Sequence, residues 1–354
     1  MHVVIIGSGI GGLCLAQGLR SAGVAVTVCE RDAAVDDRYQ GYRIGLNQHG
    51  LQALADCLPP RLYELVESTC GDQIGTRPVT DEQLRQTSDL GWVAGGTVAD
   101  RRVLRHVLLT GLDADLRFGK QFTRYEELPD GTVRAEFADG TSTVADVLVG
   151  ADGIGSAVRR QLLPHAVITD TGVRCLLGRT ELTDRFARLV PGAGKVAIGP
   201  NATLMLGKMA FRRRPDQLAA QLPATADYLR WVLMVPSGQP TIDAATLTAD
   251  WHPELRAVIA EQTTSSLISI RSAEPVPAWR PGPVTLLGDA IHTMSPSGGS
   301  GGNTALRDAN LLRRKLIDSG RAGIGDYEAH MREYGFAAVA ASLAALPTFV
   351  PQLT

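Results

Sequence analysis

The chain has 354 residues, 44% of them hydrophobic and 20% charged, which is enough for about two domains and a substantial core. A formal net charge of −2 excludes the basic footprint that a nucleic-acid or acidic-membrane partner would need. Five scattered cysteines without Cys-x-x-Cys spacing exclude a zinc site or a disulfide scaffold, and a reducing cytoplasm is the expected location.

The chain opens on Val3-Val4-Ile5-Ile6, a β-branched run of the kind buried in a parallel sheet, and stops at Gly7. A helix is predicted over Leu13 to Arg20 and a second strand over Ala25 to Cys29, followed by Glu30. Strand, glycine turn, helix and strand within about thirty residues make a βαβ unit. The apolar start carries no basic leader, and Phe336 to Pro351 is too short and too broken by Pro347 to span a bilayer, so no membrane anchor is expected.

Further helices are predicted over Asn47 to Leu58, ending before Pro59-Pro60, and over Arg101 to Leu112. Thr132 to Phe137 and Thr141 to Val144 flank Asp139-Gly140, a hairpin signal. Val147 to Val149 is another buried strand, leading into Gly150-Ala151-Asp152-Gly153. From about Thr171 to Ile270 alternating stretches such as Thr203 to Phe211 and Trp231 to Val235 predict an antiparallel sheet, and Arg212-Arg213-Arg214 reads as a solvated loop or strand end. The buried-strand pattern returns in Val284 to Leu287, followed by Gly288-Asp289, a Gly-rich loop and a helix from about Asn303 to Leu316. A last helix is predicted over Asp326 to Leu346.

Gly7-Ser8-Gly9-Ile10-Gly11-Gly12 fits Gly-x-Gly-x-x-Gly in this strand–helix context. Gly7 permits a tight turn, Gly9 lets the backbone approach a pyrophosphate, and Gly12 lets helix and strand pack closely. Glu30 is placed to accept hydrogen bonds from a ribose, and its charge would repel a 2′-phosphate. Asp289 lies where a buried strand meets a loop, the edge at which open α/β sheets bind ligands. Gly298-Gly299-Ser300-Gly301-Gly302 also matches the Gly-x-Ser-x-Gly nucleophile elbow, with His292 nearby. That elbow needs a serine on the turn directly after a strand, and here a long loop intervenes, so a hydrolase is not expected.

Together these segments resemble the FAD-dependent aromatic hydroxylases, the single-component flavoprotein monooxygenases typified by para-hydroxybenzoate hydroxylase. The glycine-rich βαβ unit ending in Glu30 is the first shared motif. The second is Asp-Gly-x-x-Ser-x-Val-Arg, carried by Asp152, Gly153, Ser156, Val158 and Arg159. The third runs through Gly288, Asp289, Ala290, Pro296, Gly299, Gly301, Asn303, Ala305, Asp308 and Ala309, and Arg101 and Leu104 match an Arg-x-x-Leu helix.

The resemblance implies an α/β chain with a Rossmann-type FAD-binding domain, an inserted antiparallel-sheet substrate domain and a C-terminal helix. The corresponding segments are 1–75, 98–168 and 272–325 for the first, 76–97 and 169–271 for the second, and 326–354 for the last. It implies cofactor contacts from Gly7, Gly9, Gly11, Gly12, Glu30, Arg31, Arg43, Arg101, Asp152, Gly288, Asp289, Pro296, Gly299, Gly301, Gly302 and Asn303, and no metal. Arg43, within Gln40-Gly41-Tyr42-Arg43, is a candidate flavin or substrate contact, and His292 and Met294 are further candidates for which loop packing is the competing role. NAD(P)H would reduce the flavin transiently, and O2 would supply an oxygen atom to a hydrophobic aromatic or polyketide-like substrate. A Baeyer–Villiger oxidation and a non-catalytic flavin-binding protein are the alternatives, in a monomer or homodimer. The Trp-x-Trp-x-Ile-Pro signature of flavin-dependent halogenases is missing.

Overall fold

The computed structural model describes residues 1–37, 41–238 and 242–350. Gln40 and residues 351–354 of the expected C-terminal segment lie outside the described residues. The first apolar run forms the strand His2–Ile6, central in a five-stranded parallel sheet. Its order is Val284–Leu286, Val147–Gly150, His2–Ile6, Ala25–Cys29, Leu116–Arg117. The three central strands are nearly all apolar because both faces are covered. Helices Ile10–Ser21, Gln48–Cys57 and Gly301–Ser319 pack on one another, and the hairpin strands Phe122–Glu127, Val133–Phe137 and Ser142–Ala145 join the same core.

Several boundaries differ from expectation for local reasons. The helix predicted over Asn47 to Leu58 runs Gln48–Cys57, with those two residues as its caps, and Pro60 then opens a further helix, Pro60–Thr69. Proline is tolerated at a first helical position, where no N–H is needed. The Arg101 helix ends at Leu109, one turn early. The last helix runs Ile324–Phe349 and carries Pro347 in its final turn. No helix among the described residues is long and apolar enough to cross a membrane.

The second sheet has seven strands, in the order Gln262–Ala273, Ile168–Glu181, Tyr228–Pro236, Thr203–Met209, Lys195–Ile198, Pro78–Asp81, Gln86–Asp89. It is antiparallel except where Lys195–Ile198 runs parallel to Pro78–Asp81. One face carries Leu204, Leu206, Leu229, Trp231 and Leu233 against helix Pro253–Ala260. The alternate residues, Leu177, Met205, Val232 and Met234, face the other way. At one end of that second face, Leu346 and Val350 of the chain's last described turn pack on Val173, Cys175 and Ile270. Arg212, Arg213 and Arg214 are exposed, with Arg212 paired to Asp72 and Arg214 to Asp216.

One buried acid in this frame makes stability depend on pH. Glu328, 3% exposed, accepts a bond from the Thr285 hydroxyl, and burial pushes its carboxyl up to about 7. Its folded pKa lies above its unfolded value, so the contribution is present in acid and is lost as pH rises through about 7. Glu328→Gln is expected to flatten this slope, gaining up to about 3 kcal/mol relative to the parent between pH 4 and pH 8. Urea unfolding at the two pH values measures it, and an unchanged slope would contradict the assignment.

Candidate functional site

The glycine turn is built by steric necessity. Gly7 has φ +107, and a Cβ there would lie 2.4 Å from the Ala151 carbonyl oxygen. A Cβ on Gly12 would lie 2.4 Å from the Gly7 oxygen, so the helix can approach the strand only as glycine. Gly11 is buried against Leu287 and Ala305 and acts through packing. Gly9 differs: it is the N-cap of Ile10–Ser21, and a Cβ there would meet nothing within 4 Å. The space in front of an uncapped helix start is therefore open, which is what an anionic phosphate requires.

Glu30 sits at the end of the second strand, 3% exposed. One of its oxygens accepts from the Ser8 N–H at 2.8 Å and the Ser8 hydroxyl at 2.7 Å, and the other from the Asp32 N–H at 3.1 Å. Beneath the same turn lies Arg105, which donates to the Ser8 carbonyl at 3.0 Å and to the Ser8 hydroxyl at 2.6 Å. Arg105 is not among the residues that the sequence motifs single out. Its signal is a cation among the buried residues of an amphipathic helix, beside Leu104 and Leu108. Arg31 is exposed, 3.9 Å from Asp32.

Asp152 accepts from the Ala157 N–H at 2.7 Å and the Val158 N–H at 3.3 Å, so one oxygen caps helix Ala157–Leu162. Its other oxygen is buried without a partner. Arg159, on that helix, donates to the Ala290 carbonyl at 2.8 Å and thereby ties the second motif to the third.

In the third motif Gly288 has φ +63, and its N–H donates to Asp308 at 2.8 Å. Asp289 follows, exposed to solvent, with the charge of Arg101 acting on its carboxyl. The Arg101 Nε is itself buried without a hydrogen-bond partner. A Cβ on Gly301 would come within 4.0 Å of Asp289 and 3.6 Å of Met294, which places the half-buried Met294 at the same opening. Pro296 and Gly299 are exposed on the loop, and Gly299 adopts the left-handed conformation.

Asn303 is a clasp. It accepts from the Asn47 N–H at 2.9 Å and donates to the Gly45 carbonyl at 2.9 Å and the Gly299 carbonyl at 3.2 Å. Strand Arg43–Leu46 is thereby fixed to the loop and to the start of helix Gly301–Ser319, which has no side-chain cap. A Cβ on Gly302 would lie 3.2 Å from Ile10 and 3.6 Å from Ile44, so the two uncapped helix starts and this strand meet. At its other end the strand presents Arg43 to Gly207 of the large sheet, and the Arg43 Nη1 lies 2.9 Å from a Cβ position on Gly207.

His292 must be corrected as a candidate substrate contact. It is 0% exposed, its Nε2 lies 2.6 Å from Asp308, and it packs on Gly335. A side chain with no accessible surface touches no ligand. The elbow reading fails for the same reason: Ser300 bonds the Gly298 carbonyl, while His292 is committed to Asp308.

The sequence profile of the family described as "FAD binding domain" matches residues 1–339. The dual O-methyltransferase/FAD-dependent monooxygenase CTB3 of Cercospora beticola is 35% identical over 93% of this chain, which spans 44% of that protein's length. An FAD-dependent urate hydroxylase of Klebsiella oxytoca is 30% identical over 88% of this chain and 80% of its own length. Among solved structures, one described as an FAD-containing monooxygenase from Photorhabdus luminescens subsp. laumondii superposes with a TM-score of 0.86 at 32% identity, covering 99% of both chains.

Proposed function

We propose a reaction and a substrate class for this chain, which belongs to the FAD-binding-domain family that includes FAD-dependent monooxygenases. The chain hydroxylates an aromatic or polyketide-like small molecule, using NAD(P)H and O2. The observation that carries this reading is the meeting of open space before Gly9, the carboxyl of Asp289 and two uncapped helix starts at one end of strand Arg43–Leu46. The other end of the strand reaches a sheet face on which Leu177 and Met205 are half-exposed.

These residues fit FAD. The front of Gly9 has room that a side chain would fill, and the buried Asp152 oxygen and Arg101 nitrogen lack protein partners. Gly9 and the start of the Ile10 helix would hold the pyrophosphate, Glu30 the adenosine ribose, and Asp289 and Arg101 the ribityl region. The start of the Gly301 helix would place positive dipole beside the ring system. When bound and reduced, FAD supplies the activation of dioxygen. The protein's part is to orient the ring against the sheet and to exclude water with Leu177, Met205 and Met294.

The test is aerobic NAD(P)H oxidation by the FAD-loaded protein over a panel of phenols, naphthols and hydroxyanthraquinones. A compound that stimulates oxidation and gains one atom of isotopic label from 18O2 supports the reading. Label from water, or oxidation that no compound stimulates, contradicts it and favours a flavin-binding protein without turnover.

A further inference from the structure

Helices Ile10–Ser21 and Gln48–Cys57 bring two thiols into one buried seam. Cys14 and Gly18 stand one turn apart on the first helix, and Ala53 and Cys57 one turn apart on the second. The Cys14 Sγ lies 3.9 Å from the Ala53 carbonyl oxygen, and the Cys57 Sγ lies 3.0 Å from the Cβ position of Gly18. Each sulfur therefore reaches the opposite helix within one turn of the other cysteine, and the two thiols share a hydrogen bond. Glycine at 18 permits this approach, because a Cβ there would also lie 3.2 Å from the Cys57 Cβ.

Cys57 ends its helix under a polar cover. Arg313, half-buried on helix Gly301–Ser319, donates to the Asp56 carbonyl at 2.6 Å, and the same nitrogen lies 3.9 Å from the Cys57 Sγ. The Asn310 side-chain oxygen is 3.9 Å from that sulfur, and its amide is held by the Asp56 carboxylate at 2.7 Å. The Arg313 Nε is buried without a hydrogen-bond partner, so this cation keeps donor capacity for a thiolate. The bond from Cys14 first, and Arg313 beside it, hold the Cys57 thiol below its ordinary range against the effect of burial. The same bond, together with burial, holds Cys14 well above that range. Cys29, Cys70 and Cys175 are buried too, but desolvation pushes them up to about 11, 12 and 12. An activated thiol beside a resolving one is what a two-electron oxidant converts to a disulfide.

We propose that Cys14 and Cys57 are a reversible, peroxide-sensitive disulfide site that staples the helix behind the glycine turn to its neighbour. The Cys57 thiolate attacks one oxygen of hydrogen peroxide and breaks the O–O bond, giving a sulfenic acid and, with one proton, water. The Cys14 sulfur then displaces hydroxide from the Cys57 sulfur, its own proton completing a second water. One peroxide is thereby reduced to two waters as two thiols are oxidised, and a dithiol reductant reverses the step. Reduced flavin that meets O2 without passing on an oxygen atom releases peroxide. That source rests on the monooxygenase reading, whereas the thiol chemistry stands or falls separately.

The experiment treats the full chain, supplied with FAD, with reagent hydrogen peroxide under native conditions and then counts thiols and maps peptides after denaturation. The five thiols are expected to fall to three, with the Cys14 and Cys57 peptides linked and dithiothreitol restoring all five. Cys57→Ala should keep every remaining thiol, and Cys14→Ala should hold a sulfenic acid at Cys57 that dimedone traps. Arg313→Met should slow the reaction at least ~5-fold, because the cation beside the thiolate is gone. The oxidised chain should melt at a higher temperature than the reduced one, since the bond joins helices that already touch. Five surviving thiols, a bridge between other cysteines, or a lowered melting temperature would overturn the proposal. Sulfinic acid at Cys57 with Cys14 still free would overturn it as well. A protein that emerges colourless yet forms the bridge would uphold the thiol site while removing the flavin as its source of peroxide.

Discussion

Gly12→Ala is expected to cost the chain about 3 kcal/mol or more of stability, whereas Gly9→Ala should leave the fold intact and weaken FAD binding at least ~10-fold. The two glycines stand three residues apart in one motif, yet their surroundings are opposite. A methyl group on Gly12 would sit 2.4 Å from the Gly7 carbonyl oxygen of the turn itself and 3.1 Å from the Ala151 side chain, just beyond the neighbouring strand Val147–Gly150. Neither can yield without moving helix Ile10–Ser21 off its strand. Gly9 has φ −72 and ψ 172, which alanine adopts freely, and its Cβ position is empty out to 4 Å. The methyl would occupy only the approach to the helix start. Urea unfolding and FAD titration of both variants separate the effects. Equal loss of FAD affinity with equal stability would show that the motif's glycines do not divide in this way.

Asp308→Ala should destabilise the chain by about 3–5 kcal/mol, the usual cost of leaving one member of a buried ion pair alone. Asp308 and His292 are both fully buried, 2.6 Å apart. The same carboxylate accepts from the Gly288 N–H at 2.8 Å and the Tyr334 hydroxyl at 2.6 Å, so one deletion strands three donors. It also releases the left-handed turn that aims Asp289. Burial opposes the imidazolium, but Asp308 outweighs it and His292 is held above its ordinary range. The folded pKa therefore lies above the unfolded one. The pair's contribution is complete below the unfolded imidazole pKa and is lost as pH rises through the folded value. Comparing Asp308→Asn with the parent across pH should show their difference shrinking in alkali. A difference independent of pH would mean that His292 is neutral in the folded chain.

The parts of this architecture that follow from local sterics were legible in the sequence. Gly7, Gly12 and Gly288 announce backbone positions that no other residue fits, and the apolar runs at Val3, Val147 and Val284 announce strands covered on both faces. Features set by long-range pairing were not. His292 read as a loop residue near the flavin because nothing in its neighbourhood reveals that Asp308, sixteen residues on, would return to meet it. Arg105 was passed over for Arg101, one turn earlier, although only Arg105 is fully withdrawn beneath the glycine turn. The edge strand Gln262–Ala273 was blurred by its Thr and Ser residues, which are polar yet suit an exposed, extended backbone. The parallel pairing of Lys195–Ile198 with Pro78–Asp81 joins segments more than a hundred residues apart, beyond what period-two alternation conveys.

Whether this fold holds FAD is read most directly from the absorbance spectrum of the purified protein after incubation with FAD and desalting. The two flavin bands are expected at near-stoichiometric amplitude, greatly diminished in Asp289→Ala. A protein that emerges colourless would contradict that expectation, and the glycine turn would then have to be assigned to a different dinucleotide.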